Sequence, residues 1–299
     1  MTSGVDLPID PRGVLLIEPD SGDPNAVSME QLTILSVEDY SRYRQAYRVI
    51  NNIAVGGVFT YFLLSASDLR ARIAAANRGF LDRRFAPQTG PVGAQRWAGS
   101  LRAAVLSLAS ALTYHQEQIY QLASELHSDC QQVHAAIKGV FGNLYETNRG
   151  YRLLYTLRNL MTHHTMEVVA LTARVLLVKD RVESRFRLRI DRGVALQSNR
   201  LKAAVTREFQ EMLHDPDIVD LLDEVGPALS SANRQLYEIL YPDLGLHCGA
   251  VMEFESLFQG RIGTRALVRN WDPDVPEEQP SYTAWAPEIF DFAARYLVG

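Results

Sequence analysis

A chain of 299 residues, 47% of them hydrophobic, with 30 Lys and Arg against 35 Asp and Glu, can bury a sizeable core without staples. The composition excludes a disordered protein, a coiled-coil rod and a collagen-like repeat. Its two cysteines, Cys130 and Cys248, stand far apart in sequence, which excludes a zinc ribbon, an iron–sulfur site and a disulfide framework.

In chain order, the opening MTSGVDLPIDPRG lacks the basic start and apolar run of a secretory signal, so a reducing cytoplasm is the expected compartment. Residues 1–36, with Pro8, Pro11, Pro19 and Pro24 among Gly, Asp and Ser, predict an extended arm with a short strand at Val14–Ile17. Helical spacing of apolar residues follows over Glu38–Leu64. Its segment Ile53–Leu64 is apolar throughout but shorter than the ~18 residues that cross a bilayer. A helix buried on all sides is expected there, and no membrane contact. Ser67 is placed to cap a further helix through Asn77, and Phe85–Gly93 reads as a loop.

Gln95–Leu126 carries Trp97, Leu101, Val105, Leu108, Leu112, Ile119 and Leu122 near a 3.6 period. Further helices are expected over Ser128–Phe141 and Tyr145–His164. The texture then changes. Val168–Lys179 is rich in β-branched residues and Arg185–Ile190 alternates, which predicts a β-hairpin. Its second strand puts Phe186, Leu188 and Ile190 on one face and Arg185, Arg187 and Arg189 on the other. Helices resume over Asn199–Leu213 and over Ile218–Leu240, the latter broken or bent around Gly226 and Pro227. Four prolines make 270–287 a loop before a last helix, Glu288–Val298. The expected architecture is mainly α with a small β-hairpin insertion and additional C-terminal helices. It divides as an arm (1–36), a helical bundle (37–166) and a hairpin plus helices packed on the bundle (167–299).

Charge is unevenly spread. Between Arg149 and Arg207 there are 13 Lys and Arg against 4 Asp and Glu, a local balance of +9 in a chain whose net charge is −5. Such a stretch suits an anion-binding surface; a solvated basic face that binds nothing is the plainer reading.

Within that stretch lies YRLLYTLRNLMTHHT. Leu153, Leu154, Leu157, Leu160 and Met161 mark the buried face of a helix, leaving Arg158, Asn159, Thr162 and His163 as a polar strip. At 100° per residue, Arg158 and His163 lie about 140° apart. The residue types suit metal-free cleavage of RNA, whose own 2′-hydroxyl is the attacking group. An imidazole, with an ordinary pKa near 6.5, takes or gives a proton near neutrality. A guanidinium offers a planar, permanently charged fork to phosphate oxygens and to charge building up on phosphorus. Asn159 can hold the ring or a phosphate oxygen. An Arg and a His at this spacing also occur by chance in many helices.

The segment LRNLMTHHT resembles the R-x4-6-H motif of the HEPN superfamily, in its R-N-x-x-x-H form. The resemblance implies an all-α, HEPN-like helical bundle and a metal-independent endoribonuclease of the kind found as toxins in toxin–antitoxin and phage-defence systems. It implies Arg158 and His163 as the catalytic pair with Asn159 beside them. It also implies a homodimer in which two motif helices form a composite site, and an antitoxin protein as a further partner. The motif itself covers six residues, and a bundle likeness extends over about Glu38–His164. The hairpin and the helices beyond Asn199 depart from a minimal HEPN domain. A catalytically silent HEPN-like scaffold for RNA or protein is the alternative.

Arg152, with Arg185, Arg187 and Arg189, is the expected RNA-binding set; three arginines on an edge strand equally serve to block aggregation. His164 reads as a solvent-facing residue near the helix end. His127, Cys130 and His134 share one side of a helix, but no fourth ligand is evident and Cys130 reads as a core thiol. No metal site is expected. No Walker loop, GxSxG elbow, HExxH or dinucleotide fingerprint is present, and no cofactor is expected.

Overall fold

The computed structural model describes residues 12–19, 27–81, 90–178, 181–269 and 281–298. In chain order the elements are β1 (Arg12–Pro19), β2 (Val27–Ile34), α1 (Val37–Ala54), α2 (Val58–Leu81), α3 (Gly90–Leu126), α4 (Gln131–Thr147) and α5 (Arg149–His163). Then come β3 (Val169–Val178), β4 (Arg181–Ile190), α6 (Arg192–Ala195), α7 (Ala203–Glu211), α8 (Ile218–Leu240) and α9 (Leu244–Ser256). β5 (Thr264–Arg269), β6 (Ser281–Ala284) and α10 (Pro287–Val298) end the chain. The protein is mainly helical. It forms two compact units, residues 1–57 with 241–299, and residues 58–240. These cut across the arm, bundle and hairpin-plus-helices division that the sequence suggested, because chain ends far apart in sequence pair with each other.

In the first unit the expected strand Val14–Ile17 lies inside β1, and the arm around it supplies half of an antiparallel sheet ordered β2-β1-β5-β6. β1 pairs with β2 from Gly13↔Ile34 to Pro19↔Val27, with a bulge between Val14 and Leu15, and with β5 from Arg12↔Arg269 to Ile17↔Thr264. Leu15, Ala266 and Val268 are fully buried, with Ile17 and Met29 packed against them. The end of the expected 270–287 loop is strand β6. Ser36 caps α1, its Oγ accepting from the Asp39 N–H at 3.0 Å. Arg42 grips Glu253 of α9 through two bonds of 2.6 and 2.7 Å, and Tyr43 donates to the same carboxylate at 2.9 Å. The Arg42 hydrogen bond holds the Glu253 carboxyl down at about 2. Burial, and then that carboxylate, push the Tyr43 hydroxyl up to about 12.

The second unit is a helical bundle carrying the two-stranded β3–β4 hairpin. Where one helix over Glu38–Leu64 was expected, two occur, because the chain breaks at residues 55–57. No new helix starts at Ser67. Phe62, Ala66, Leu69 and Ala76 form one buried stripe that runs straight through it, and continuous packing overrides the capping signal. The helix is not buried all round, since Tyr61 and Leu64 are 55% and 61% exposed. By length and composition alone, Val37–Gly79 is long and apolar enough to cross a membrane, and 33% of its most apolar window is buried. Part of the expected Phe85–Gly93 loop, from Gly90 on, is the start of α3, and residues 82–89 lie outside the described residues. α8 spans the expected Ile218–Leu240 and is not broken at Pro227.

α5 is the central element, packed against α3, α4 and α8. Tyr151, Leu153, Leu154, Leu157, Leu160 and Met161 are buried, each large side chain stabilising the fold by about 1.5–3 kcal/mol. Its start is fixed three ways. Asn148 accepts from the Tyr151 N–H at 2.7 Å, and Glu224 of α8 accepts from the Gly150 N–H at 3.1 Å, an anion where the helix dipole favours one. A Cβ on Gly150 would lie 2.5 Å from the Leu221 carbonyl oxygen, so only glycine lets α5 approach the α8 backbone this closely.

Candidate functional site

α5 ends at His163, and His164 forms the C-cap, its N–H donating to the Leu160 carbonyl at 2.8 Å. His163 and His164 are exposed, while Arg158 and Asn159 are half-buried. Arg158 Nη1 donates to Asn159 Oδ1 at 3.1 Å, so Asn159 braces the guanidinium rather than the histidine ring. Thr162 donates its hydroxyl to the Arg158 carbonyl oxygen, the local bond that threonine makes inside helices. Among the described residues no carboxylate pairs with Arg158 or His163. By helical geometry Arg149, Arg152, Thr156, Asn159 and His163 fall within about 80° of one another, while Arg158 points about 140° away from His163. The pair therefore shares one helix end but not one face.

Arg152, expected at RNA, serves the fold. Its guanidinium grips Glu208 of α7 with bonds of 2.8 and 3.0 Å and donates to the Tyr145 and Glu146 carbonyls at 2.8 and 3.1 Å. Those carbonyls end α4 and would otherwise lack partners. Tyr145 itself lies on α4, not on the motif helix, which starts at Arg149.

The hairpin forms in the expected register sense, with Leu188 and Ile190 buried. The side chain of Arg185 lies outside the described residues. Arg187 and Arg189 line a cleft of about 500 Å³ together with Arg149, His214, Asp217 and Asp220. This cleft mixes both signs, so the arginine face is not a bare basic strip. Arg189 has a buried Nε with no hydrogen-bond partner among the described residues. Burial raises the Asp217 carboxyl pKa, against the opposing pull of its Val219 N–H bond and of nearby Arg187. Asp215 on the same rim is bound by Arg192 at 2.9 Å.

A larger cleft of about 670 Å³ lies beside the start of α5, lined by Tyr145, Arg149, Lys202, Arg207 and Glu211, among others. A separate narrow cavity of about 50 Å³ shares Tyr145 and Lys202 with it and is lined further by Tyr155, Arg200 and Asn159. Sequence reasoning singled out none of Tyr145, Tyr155, Arg200, Lys202 and Arg207. The available signal was the basic excess between Arg149 and Arg207, which contains the three cations.

His127 Nε2 bonds to the Leu240 carbonyl at 2.8 Å and His134 Nε2 to the His127 carbonyl at 3.1 Å. Both imidazoles thus serve the α3–α4 turn. Cys130 precedes α4 as its N-cap and is half-exposed, not a core thiol. Among the described residues no three His, Cys, Asp or Glu side chains are placed to hold a metal ion. Compared with protein-family models, curated proteins and solved structures, the chain matches none of them.

Proposed function

We propose that the chain is a HEPN-like, metal-independent endoribonuclease in which Arg158 and His163 act on a bound phosphodiester. The observation that carries this reading is the pairing state of the motif. An exposed imidazole ends α5, and the guanidinium five residues earlier is held by an amide, with no carboxylate neutralising it among the described residues. In the proposed reaction His163 takes the proton of the RNA 2′-hydroxyl, whose oxygen attacks the adjacent phosphorus. The 5′-oxygen leaves and takes up a proton, giving a 2′,3′-cyclic phosphate and a free 5′-hydroxyl. Arg158 meets the charge that builds on the phosphoryl oxygens.

Purified protein incubated with single-stranded RNA in EDTA tests this. Cleavage is expected to persist, to leave a cyclic phosphate, to stop at a 2′-deoxy linkage and to fall about 10²–10⁴-fold in His163→Ala. Loss of activity with the chelator, or equal cleavage of single-stranded DNA, overturns it. A silent scaffold is the second reading, favoured by one observation: neither Arg158 nor His163 lines any of the three clefts described. An unchanged rate in His163→Ala supports it.

A further inference from the structure

The two cavities beside α5 are neighbours, with Tyr145 and Lys202 in the lining of both. In that shared lining the Lys202 ammonium lies 4.5 Å from the Tyr145 ring centroid, and Tyr145 meets Tyr155 edge-on at 6.0 Å. The cations around them are not consumed by the fold. Among the described residues Arg149 reaches only Glu208, at 4.0 Å, and that carboxylate already belongs to Arg152. Among the described residues Arg200, Lys202 and Arg207 enter no ion pair, and all three are exposed. Glu146, Glu208 and Glu211 are the opposing charges of the cleft; Glu208 is held by Arg152, and no cation is bound to the Glu146 or Glu211 carboxylate among the described residues.

The dimensions sort what could lie here. A cleft of about 670 Å³ is in the range of small-molecule sites and takes a nucleotide. The neighbouring narrow cavity, about 50 Å³, holds about one or two waters and no base. A chain that follows this path must pass its phosphates over the narrow cavity and keep its bases turned away. Ten residues of helix separate Arg149 from Asn159 on the same face, about 15 Å. Stacked nucleotides advance about 3.4 Å each, so roughly four fit that span.

We propose that Arg149, Tyr145, Lys202, Arg207 and Arg200 form a track for a single-stranded polynucleotide. The track seats one nucleotide in the large cleft and leads the phosphate chain along the face of α5 that carries Arg149 and Asn159. Phosphates meet the four cations, and an unpaired base stacks on Tyr145, contacts that do not depend on sequence. A duplex, whose bases are already stacked, cannot use the ring. The track gives the segment after His164 a role in holding the strand, and it rests on the ribonuclease reading only for where the strand leads.

Fluorescence anisotropy on the full-length protein tests it, in EDTA and with a His163→Ala background to prevent cleavage. The probes are oligouridylates of 3, 6 and 12 nucleotides, a 12-nucleotide oligothymidylate and a 12-base-pair RNA duplex. The 6-mer and 12-mer are expected to bind within about threefold of each other, and the 3-mer and the duplex at least tenfold more weakly. RNA and DNA single strands are expected to bind alike. Lys202→Ala/Arg207→Ala should weaken 12-mer binding at least tenfold. It should also flatten the slope of log affinity against log salt by about 1.4, two phosphate contacts' worth. Tyr145→Leu should weaken binding at least fivefold and Tyr145→Phe should restore it. An unchanged salt slope in the double variant, equal binding of duplex, or no saturable 12-mer binding at micromolar protein overturns the track. Binding as expected with no cleavage by the wild type overturns the ribonuclease reading alone. Cleavage with binding indifferent to Lys202, Arg207 and Tyr145 overturns the track alone.

Discussion

His115 is fully buried in the second unit, its ring against Phe59 and Phe141 at 5.8 Å each. One nitrogen, Nε2, bonds to Asn233 Oδ1 at 2.9 Å, while Nδ1 is buried without a partner. Asn233 Oδ1 can only accept, so Nε2 carries the proton and the ring is neutral. Burial depresses the pKa, opposed by the Asn233 bond. The folded pKa therefore lies below the unfolded value near 6.5. Between those two values the unfolded chain holds more protons, so stability is complete above pH 6.5 and falls as pH drops toward the folded pKa. One such group contributes a slope of at most about 1.4 kcal/mol per pH unit. Thermal melts from pH 7.5 to 5 should show this decline, and His115→Gln, which keeps a donor for Asn233 but does not titrate, should flatten it. Parallel profiles for the two proteins would show that His115 takes no part.

Arg152 joins three helices through four hydrogen bonds, and its side chain is only 18% exposed. Removing it leaves Glu208 and the last carbonyls of α4 without their donor. Arg152→Ala is expected to lower stability by about 2–3 kcal/mol in denaturant unfolding. Lysine should recover only part of this, since a point charge cannot serve a carboxylate and two carbonyls together. A change below about 0.5 kcal/mol would return Arg152 to the set of free cations. The same residue shows where the sequence could be read and where it could not. The apolar spacing of α5 is local, and so the motif helix, its buried face and the hairpin's inward Leu188 and Ile190 are legible. Arg152's partner is 56 positions away, and no spacing rule distinguishes an arginine bound to a carboxylate from one left for a ligand. Lys202 and Tyr145 meet across 57 positions, for the same reason unseen. Only Val14–Ile17 of β1 reads as a strand, and its place in a sheet is not legible, because its neighbour β5 is supplied from more than 240 positions away.

The divergence of Arg158 and His163 around α5 sets the assembly that the ribonuclease reading demands. One copy cannot easily bring both groups to a single phosphate. Two copies of α5 facing each other across a two-fold axis place the arginine of one near the histidine of the other, and such an interface is self-complementary. A homodimer is therefore expected by sedimentation at micromolar concentration. An Arg158→Ala subunit mixed with a His163→Ala subunit should regain one working site per heterodimer, up to half the wild-type rate per dimer. A monomer with full activity, or no recovery in a verified heterodimer, would falsify the shared site.

The sheet of the first unit also imposes an order on synthesis. Arg12 pairs with Arg269, so the N-terminal strand leaves the ribosome about 250 residues before its partner. At roughly 5–20 residues per second that interval is about 12–50 s, far longer than a hairpin takes to form. During it Val14, Leu15 and Leu16, all fully buried in the finished fold, have only β2 beside them, and an isolated two-stranded hairpin is marginal in water. The contiguous stretch 58–240 emerges complete within the same interval. A nascent chain of this protein thus carries a finished bundle behind an unfinished sheet, its sticky edge open until the last thirty or so residues arrive.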